Sequence, residues 1–145
     1  MKSTHRLRIK APIKAIEDGV FSAEKWLSFA PGYRGLEAGD PNWPNQGSSI
    51  VVRSGLGRLT FPIKVTVVEY RRGRRFHTHE DAFSGRYIHD IDLTLQEDDG
   101  TTTLTFMRDL TSKSVPVRIL FLLIYPMRWV TARLVKKRIQ AMVKT

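Results

Sequence analysis

The chain has no cysteine among its 145 residues. Disulfides and thiolate-bound metals are therefore excluded, and nothing in the sequence calls for an oxidising compartment. Acidic residues are missing from both ends. From Met1 to Ile16 there are five Lys or Arg and no Asp or Glu; from Leu110 to Thr145 there are eight and none. No apolar run approaches the roughly 20 residues that span a bilayer. The longest, between Arg118 and Arg128, falls well short of that length. The first residues, MKSTHRLRIK, carry charge but no apolar core, so no secretory signal is expected. Glycine-rich phosphate loops, paired-glycine nucleotide fingerprints and Gly-x-Ser-x-Gly elbows are all missing. Gly55-Leu56-Gly57 is too short and reads as a turn. No catalytic residue is assigned, and no cofactor or bound metal is expected.

What is present is a positive excess, 24 Lys and Arg against 14 Asp and Glu, for a formal charge of +10. Such an excess favours anionic partners, whether nucleic acid, an acidic membrane surface or an acidic ligand. Arg71-Arg72-Gly73-Arg74-Arg75 lacks interleaved aromatics and reads as a solvated hairpin tip, which disfavours nucleic acid. The length suits one domain over residues 1–145.

Along the chain, His5, Leu7 and Ile9 alternate with Arg6, Arg8 and Lys10, the period of a half-buried strand over Ser3 to Ala11. Pro12 ends it and suits the first turn of a helix. Two short helices are expected next, Ile13 to Val20 and Ser22 to Phe29, separated at Gly19. Leu36 to Gln46 is rich in turn residues. From Gly47 onward strands follow one another: Ser49 to Arg53, Leu59 to Glu69, Arg75 to Ala82, Arg86 to Gln96 and Thr101 to Leu110. The short turns between them imply antiparallel neighbours. From Val115 to Lys144 a helical segment is expected. Pro126 should kink or restart it, and Met127, Val130, Leu134, Val135, Ile139 and Met142 share one face.

Turn positions fix a register. With Ser84-Gly85 as a loop, Glu80 faces His89, Thr78 faces Ile91 and Phe76 faces Leu93. With Asp99-Gly100, Leu93 faces Phe106 and Ile91 faces Arg108. With Arg72-Gly73, Val67 faces Thr78. Each choice puts the apolar residues on one face, and a slip of one residue would reverse a strand, so the agreement is informative. The inner face is Leu59, Phe61, Ile63, Val65, Val67, Phe76, Ile91, Leu93, Leu95, Leu104, Phe106 and Leu110. One apolar sheet face needs a cover, and the closing helix is the candidate long enough to supply it.

The Ile9-Lys10-Ala11-Pro12 start, Gly47 opening the meander, the Asp99-Gly100-Thr101 hairpin and the Arg/Lys-rich closing helix resemble one family. It is the START-related, Bet v 1-like superfamily (SRPBCC), which includes polyketide cyclase/dehydrase-type and lipid-transport proteins. The resemblance spans nearly the whole chain. It implies an α+β helix-grip fold: a curved antiparallel sheet wrapped around a long C-terminal helix, with two short helices after the first strand and an internal cavity. It implies no single chemistry, and no catalytic residue is carried over from it.

Three polar residues intrude on the inner face: Glu80, His89 and Arg108. An unpaired buried Arg is costly, so it needs a partner. These three are expected to form the polar end of a pocket, with Arg108 meeting a carboxylate, phosphate or enolate and His89 oriented by Glu80. The alternative is a satisfied internal network. Phe61, Ile91, Phe106, Trp43 and Met127 complete the expected ligand-binding set, with the loop around Tyr33 and Trp43 controlling entry. On the outer face His77 and His79 oppose Asp90 and Asp92, with Asp109 nearby. This arrangement reads as a solvated charge ladder rather than a metal site.

The expected function is binding or transport of a small hydrophobic ligand, such as a lipid, quinone or polyketide-like compound, by a cytoplasmic protein. Two alternatives stand beside it. One is a cyclase/dehydratase-type enzyme using the same pocket. The other is a peripheral membrane chaperone whose basic ends touch anionic lipid.

Overall fold

The computed structural model describes residues 2–112, 114–116, 118–119 and 128–144. Alternation makes the first strand, β1 (Lys2–Ile9), with Leu7 and Ile9 turned inward and buried. Pro12 caps helix α1 (Ile13–Val20), whose first N–H is taken by Glu97 Oε1 at 2.7 Å. Strands β2 (Tyr33–Ala38), β3 (Ser49–Leu56), β4 (Leu59–Arg71), β5 (Arg75–Ala82), β6 (Tyr87–Asp98) and β7 (Thr101–Ser112) follow, and helix α2 (Arg128–Lys144) closes the chain. The strands form one curved antiparallel sheet in the order β1-β7-β6-β5-β4-β3-β2. No helix among the described residues is long and apolar enough to cross a membrane.

The second short helix expected at Ser22 to Phe29 is not there. Those residues make a run of turns, and Leu27 sits at φ 68°, which no right-handed helix can contain. Trp26 N–H still reaches the Ser22 carbonyl at 2.8 Å, so one helical turn forms before the chain breaks. A second departure is β2, an edge strand where turns were expected. It pairs with β3 through two irregularities around Gly35, which lies at φ 122°.

The registers hold. Glu80 pairs with His89, Thr78 with Ile91, Phe76 with Leu93, Ile91 with Arg108 and Val67 with Thr78. The last pair holds for a reason of its own. The loop after Arg71 has three residues rather than two, and a bulge between Val67 and Glu69 restores the phase. The Leu56-Leu59 turn is tight enough that a Cβ on Gly55 would collide with the Leu59 carbonyl. Leu59 itself, expected on the buried face, is 79% exposed at the β3–β4 tip.

The aromatic part of the core lies toward one end of the sheet. Phe21, Trp26 and Phe29 pack with Phe76 and Phe106, and Ile139 of α2 is fully buried among them. Val135, Met142 and Val143 join from the same helix, while Val130 and Leu134 are exposed. The buried stripe of α2 is therefore narrower than the sequence period suggests. Its contacts are with α1, β1 and the turns after α1, where Arg138 donates to the Phe29 and Ala30 carbonyls. The expected kink at Pro126 and the cavity against Ile119 to Tyr125 involve residues 120–127 and lie outside the described residues.

Candidate ligand-binding site

Beyond the aromatic core the inner face turns polar. Even-numbered residues of β5 and odd-numbered residues of β6 point inward, which brings Thr78, Glu80, Tyr87 and His89 to one side; Arg108 on β7 joins them. Glu80 and His89 are 3% and 4% exposed, Thr78 is fully buried, and Tyr87 and Arg108 are half-buried. His89 Nδ1 lies 2.6 Å from Glu80 Oε2, and Arg108 Nε–H donates to His89 Nε2 at 3.0 Å.

These contacts determine the imidazole's form. A guanidinium only donates, so Nε2 must be a bare acceptor, and the ring proton sits on Nδ1, donated to Glu80. The chain Arg108→His89→Glu80 is thus a cation and an anion joined through a neutral ring. The Tyr87 hydroxyl lies 3.4 Å from His89 Nδ1, on the Glu80 side of the ring. Both ring nitrogens of His89 are occupied. What remains open are the two terminal amino groups of Arg108 and the Thr78 hydroxyl, which have no partner among the described residues. An unpartnered buried hydroxyl is uncommon and requires a reason.

Burial holds the Tyr87 phenol well above its ordinary range, and the Glu80 charge pushes the same way. Tyr70, half-buried and donating to Glu17 Oε2 at 2.5 Å, is raised likewise. Below about pH 10 both phenols are neutral, folded or unfolded. Above it the unfolded chain ionises first, so the protons held in the native state become a cost. Stability should therefore fall as the pH rises past about 10. The Tyr87→Phe, Tyr70→Phe double variant should show a flatter alkaline limb, measured by denaturant unfolding across that range.

Of the residues expected to line the site, Glu80, His89 and Arg108 come together, and Ile91 and Phe106 border them on the same face. Phe61 lies at the far end of β4, stacked on Phe83 with ring centroids 4.8 Å apart. Trp43 does not join them. Its Nε1–H donates to the Phe21 carbonyl at 2.8 Å and its ring packs on Phe76, at the α1 end of the sheet. There, with Tyr70, Glu17 and Arg72, it lines an open cleft of about 850 Å³. Met127 lies outside the described residues. Sequence reasoning passed over Thr78 and Tyr87, although both sit on the inward parity that singled out Glu80 and His89.

The outer face carries the expected ladder. Arg75 clamps Asp92 through two nitrogens at 2.8 and 2.6 Å and reaches Glu69 at 2.6 Å, and it holds the Asp92 carboxyl below the usual carboxylate range. His77 and His79 both approach Asp90, at 3.4 and 3.1 Å. Among the described residues no group of three or more His or carboxylate side chains is arranged to hold a metal ion. The two basic ends do meet. Arg6 of β1 lines a cleft of about 240 Å³ with Arg133 and Lys136 of α2.

No protein-family profile and no curated protein matches the sequence. Solved structures do match. A START superfamily protein from Mycobacterium smegmatis superposes with a TM-score of 0.72 at 13% identity, over 97% of each chain. The di-domain ARO/CYC StfQ from the steffimycin biosynthetic pathway gives 0.75 at 11%, covering 99% of this chain and 50% of that one. Ara h 8.0201 gives 0.68 at 10%, over 97% and 98%. At such identities the likeness establishes the fold alone, and that fold is the helix grip that the sequence resemblance implied.

Proposed function

We propose that the protein binds a small hydrophobic molecule on the concave face, with an oxygen of the ligand seated against Arg108 and Thr78. One observation carries this reading: Thr78 and the terminal nitrogens of Arg108 present unused hydrogen-bonding capacity at the polar end of an otherwise apolar face. The fold shared with a START superfamily protein and an ARO/CYC is compatible with it.

Charge narrows the ligand. Glu80 already balances Arg108 through the neutral imidazole, so a ligand carboxylate or phosphate would add an uncompensated buried charge. A neutral acceptor, such as the carbonyl of a quinone or polyketide-like ketone, or a phenol oxygen, leaves the site balanced. Binding is favoured over catalysis because His89 has no free lone pair. General acid–base work would first require Arg108 or Glu80 to let go.

The test is titration with apolar quinones, ketones and matched fatty acids, together with native mass spectrometry for a co-purified molecule. Saturable binding of the neutral carbonyl compounds is expected. Arg108→Leu should weaken it roughly ten- to a hundredfold, the loss of a charge-assisted hydrogen bond. Thr78→Val should weaken it less while leaving stability unchanged or raised. Absence of any saturable binding and of any co-purified molecule would remove the reading. Turnover of a bound ketone, abolished by His89→Ala, would move the weight to an enzyme.

A further inference from the structure

The hairpin tips at the end of the sheet that carries Glu80, His89 and Arg108 have surface features the ligand reading does not explain. Leu59 stands in the open at the β3–β4 tip. At the β5–β6 tip Phe83 is 52% exposed and stacks on Phe61, joining the two tips. Phe83 also lies at φ 55°, a left-handed backbone that bulky residues avoid, and Ser84 beside it does the same. An aromatic held in that conformation and turned toward water contributes little to the core, so its placement points to a task outside the fold. The tip is braced by the Asp81 carboxylate, which accepts the Gly85 N–H at 3.0 Å.

A third apolar element is fastened to the same tip. The Ser112 hydroxyl donates to the Arg86 carbonyl at 2.8 Å, and Arg118 Nε–H donates to the Ser112 carbonyl at 2.5 Å. Ser114, Val115 and Pro116 therefore leave from beside the β5–β6 turn, and Val115 and Ile119 are both exposed. Around these apolar side chains stand Arg58, Arg86 and Arg118, all exposed. Residues 54–68, 82–89 and 110–119 contain no Asp or Glu.

We propose that these tips dock on an anionic lipid bilayer, with Leu59 and Phe83 entering the boundary of the acyl chains and Arg58, Arg86 and Arg118 meeting lipid phosphates. Exposed apolar residues ringed by cations are what such a surface retains, each cation adding about fivefold to the partition. A second copy of the chain fits less well, since a two-fold contact would set arginines against arginines. A nucleic acid would use the arginines but gain little from Leu59. The bilayer also explains where the apolar residues sit, at the end of the concave face where the polar cluster lies. The proposal does not rest on the ligand reading, because attachment is measured on protein with no ligand added.

The test is flotation with vesicles of phosphatidylcholine alone and of phosphatidylcholine mixed with phosphatidylglycerol, at low and high salt. Attachment is expected to the anionic vesicles only and to be lost in high salt. Arg58→Glu with Arg86→Glu should lower it by roughly an order of magnitude or more. Leu59→Ser with Phe83→Ser should lower it severalfold, and Arg133→Glu with Lys136→Glu, in the β1–α2 cleft, should leave most of it. Circular dichroism and thermal melts check that each variant folds. Phe83→Trp adds a readout that needs no loss: its emission should shift blue on anionic vesicles and be quenched by brominated lipid. No attachment at low salt, or loss confined to the cleft variant, would overturn the proposal. So would a Trp at position 83 left unquenched on bound vesicles, or a dimer that Phe83→Ser dissolves.

Discussion

Replacing His89 by alanine is expected to destabilise the protein by about 3 kcal/mol or more, the usual cost of stranding a buried charge. Glu80 is 3% exposed and takes its shortest hydrogen bond from His89. Without the imidazole its buried carboxylate loses that bond, and Arg108 loses the group that carries its charge toward Glu80. The shift in denaturation midpoint at constant slope measures the cost. The cause is separable from lost packing. Changing Glu80, His89 and Arg108 together to leucine removes the charges along with their partners, and such replacements are often neutral or stabilising. The triple variant should therefore be more stable than His89→Ala. If it is equally unstable, packing and not stranded charge is what His89 supplies. Ligand binding should be lost in both variants, which would mark the cluster as kept for recognition rather than for stability.

How far the sequence carried this picture depended on which physical signal each element left in it. Period-2 alternation is strict, so turn residues at Ser84-Gly85 and Asp99-Gly100 were enough to bring Glu80, His89 and Arg108 together. The Arg72-Gly73 register came out right only because a bulge between Val67 and Glu69 cancels the extra loop residue, and no residue type announces that bulge. The break of the second helix is equally silent, since leucine is a good helix former and gives no warning of a positive φ at Leu27. The edge strand β2 holds one glycine and two charges in six residues and packs only one neighbour, so its pattern is weak. Trp43 was placed in the site on side-chain chemistry alone. Its Nε1–H needed an acceptor, and the Phe21 carbonyl supplied one at the other end of the sheet. Thr78 and Tyr87 were legible by parity and were missed because neither carries a formal charge at neutral pH.

Trp26→Ala should be the most damaging substitution in the aromatic end of the core, at about 3–5 kcal/mol. The ring is fully buried, with Phe21, Phe29 and Phe76 at centroid distances of 5.6, 5.4 and 4.7 Å. It hangs from the broken turn after α1, where the backbone hydrogen bonds between Ser22 and Ala30 are local turn bonds, so side-chain packing is what holds that segment on the sheet. Trp26→Phe separates two opposing effects. It opens a small void costing about 1 kcal/mol at ~24 cal/mol per Å³. It also removes an indole N–H that has no hydrogen-bond partner among the described residues, relieving a cost of about 1–3 kcal/mol. The phenylalanine variant should therefore melt close to the native protein, while the alanine variant falls far below it. A large loss in Trp26→Phe would mean that the N–H is satisfied in solution and that the plug depends on it. The same pair of variants bears on function. The Phe21–Trp26–Phe76 cluster packs at the α1 end of the concave face, and in the proposed binding mode the ligand takes the other end, beside Arg108 and Thr78. Trp26→Ala should therefore admit longer apolar ligands than the native protein, read as a shift in chain-length preference at low temperature, where the variant remains folded.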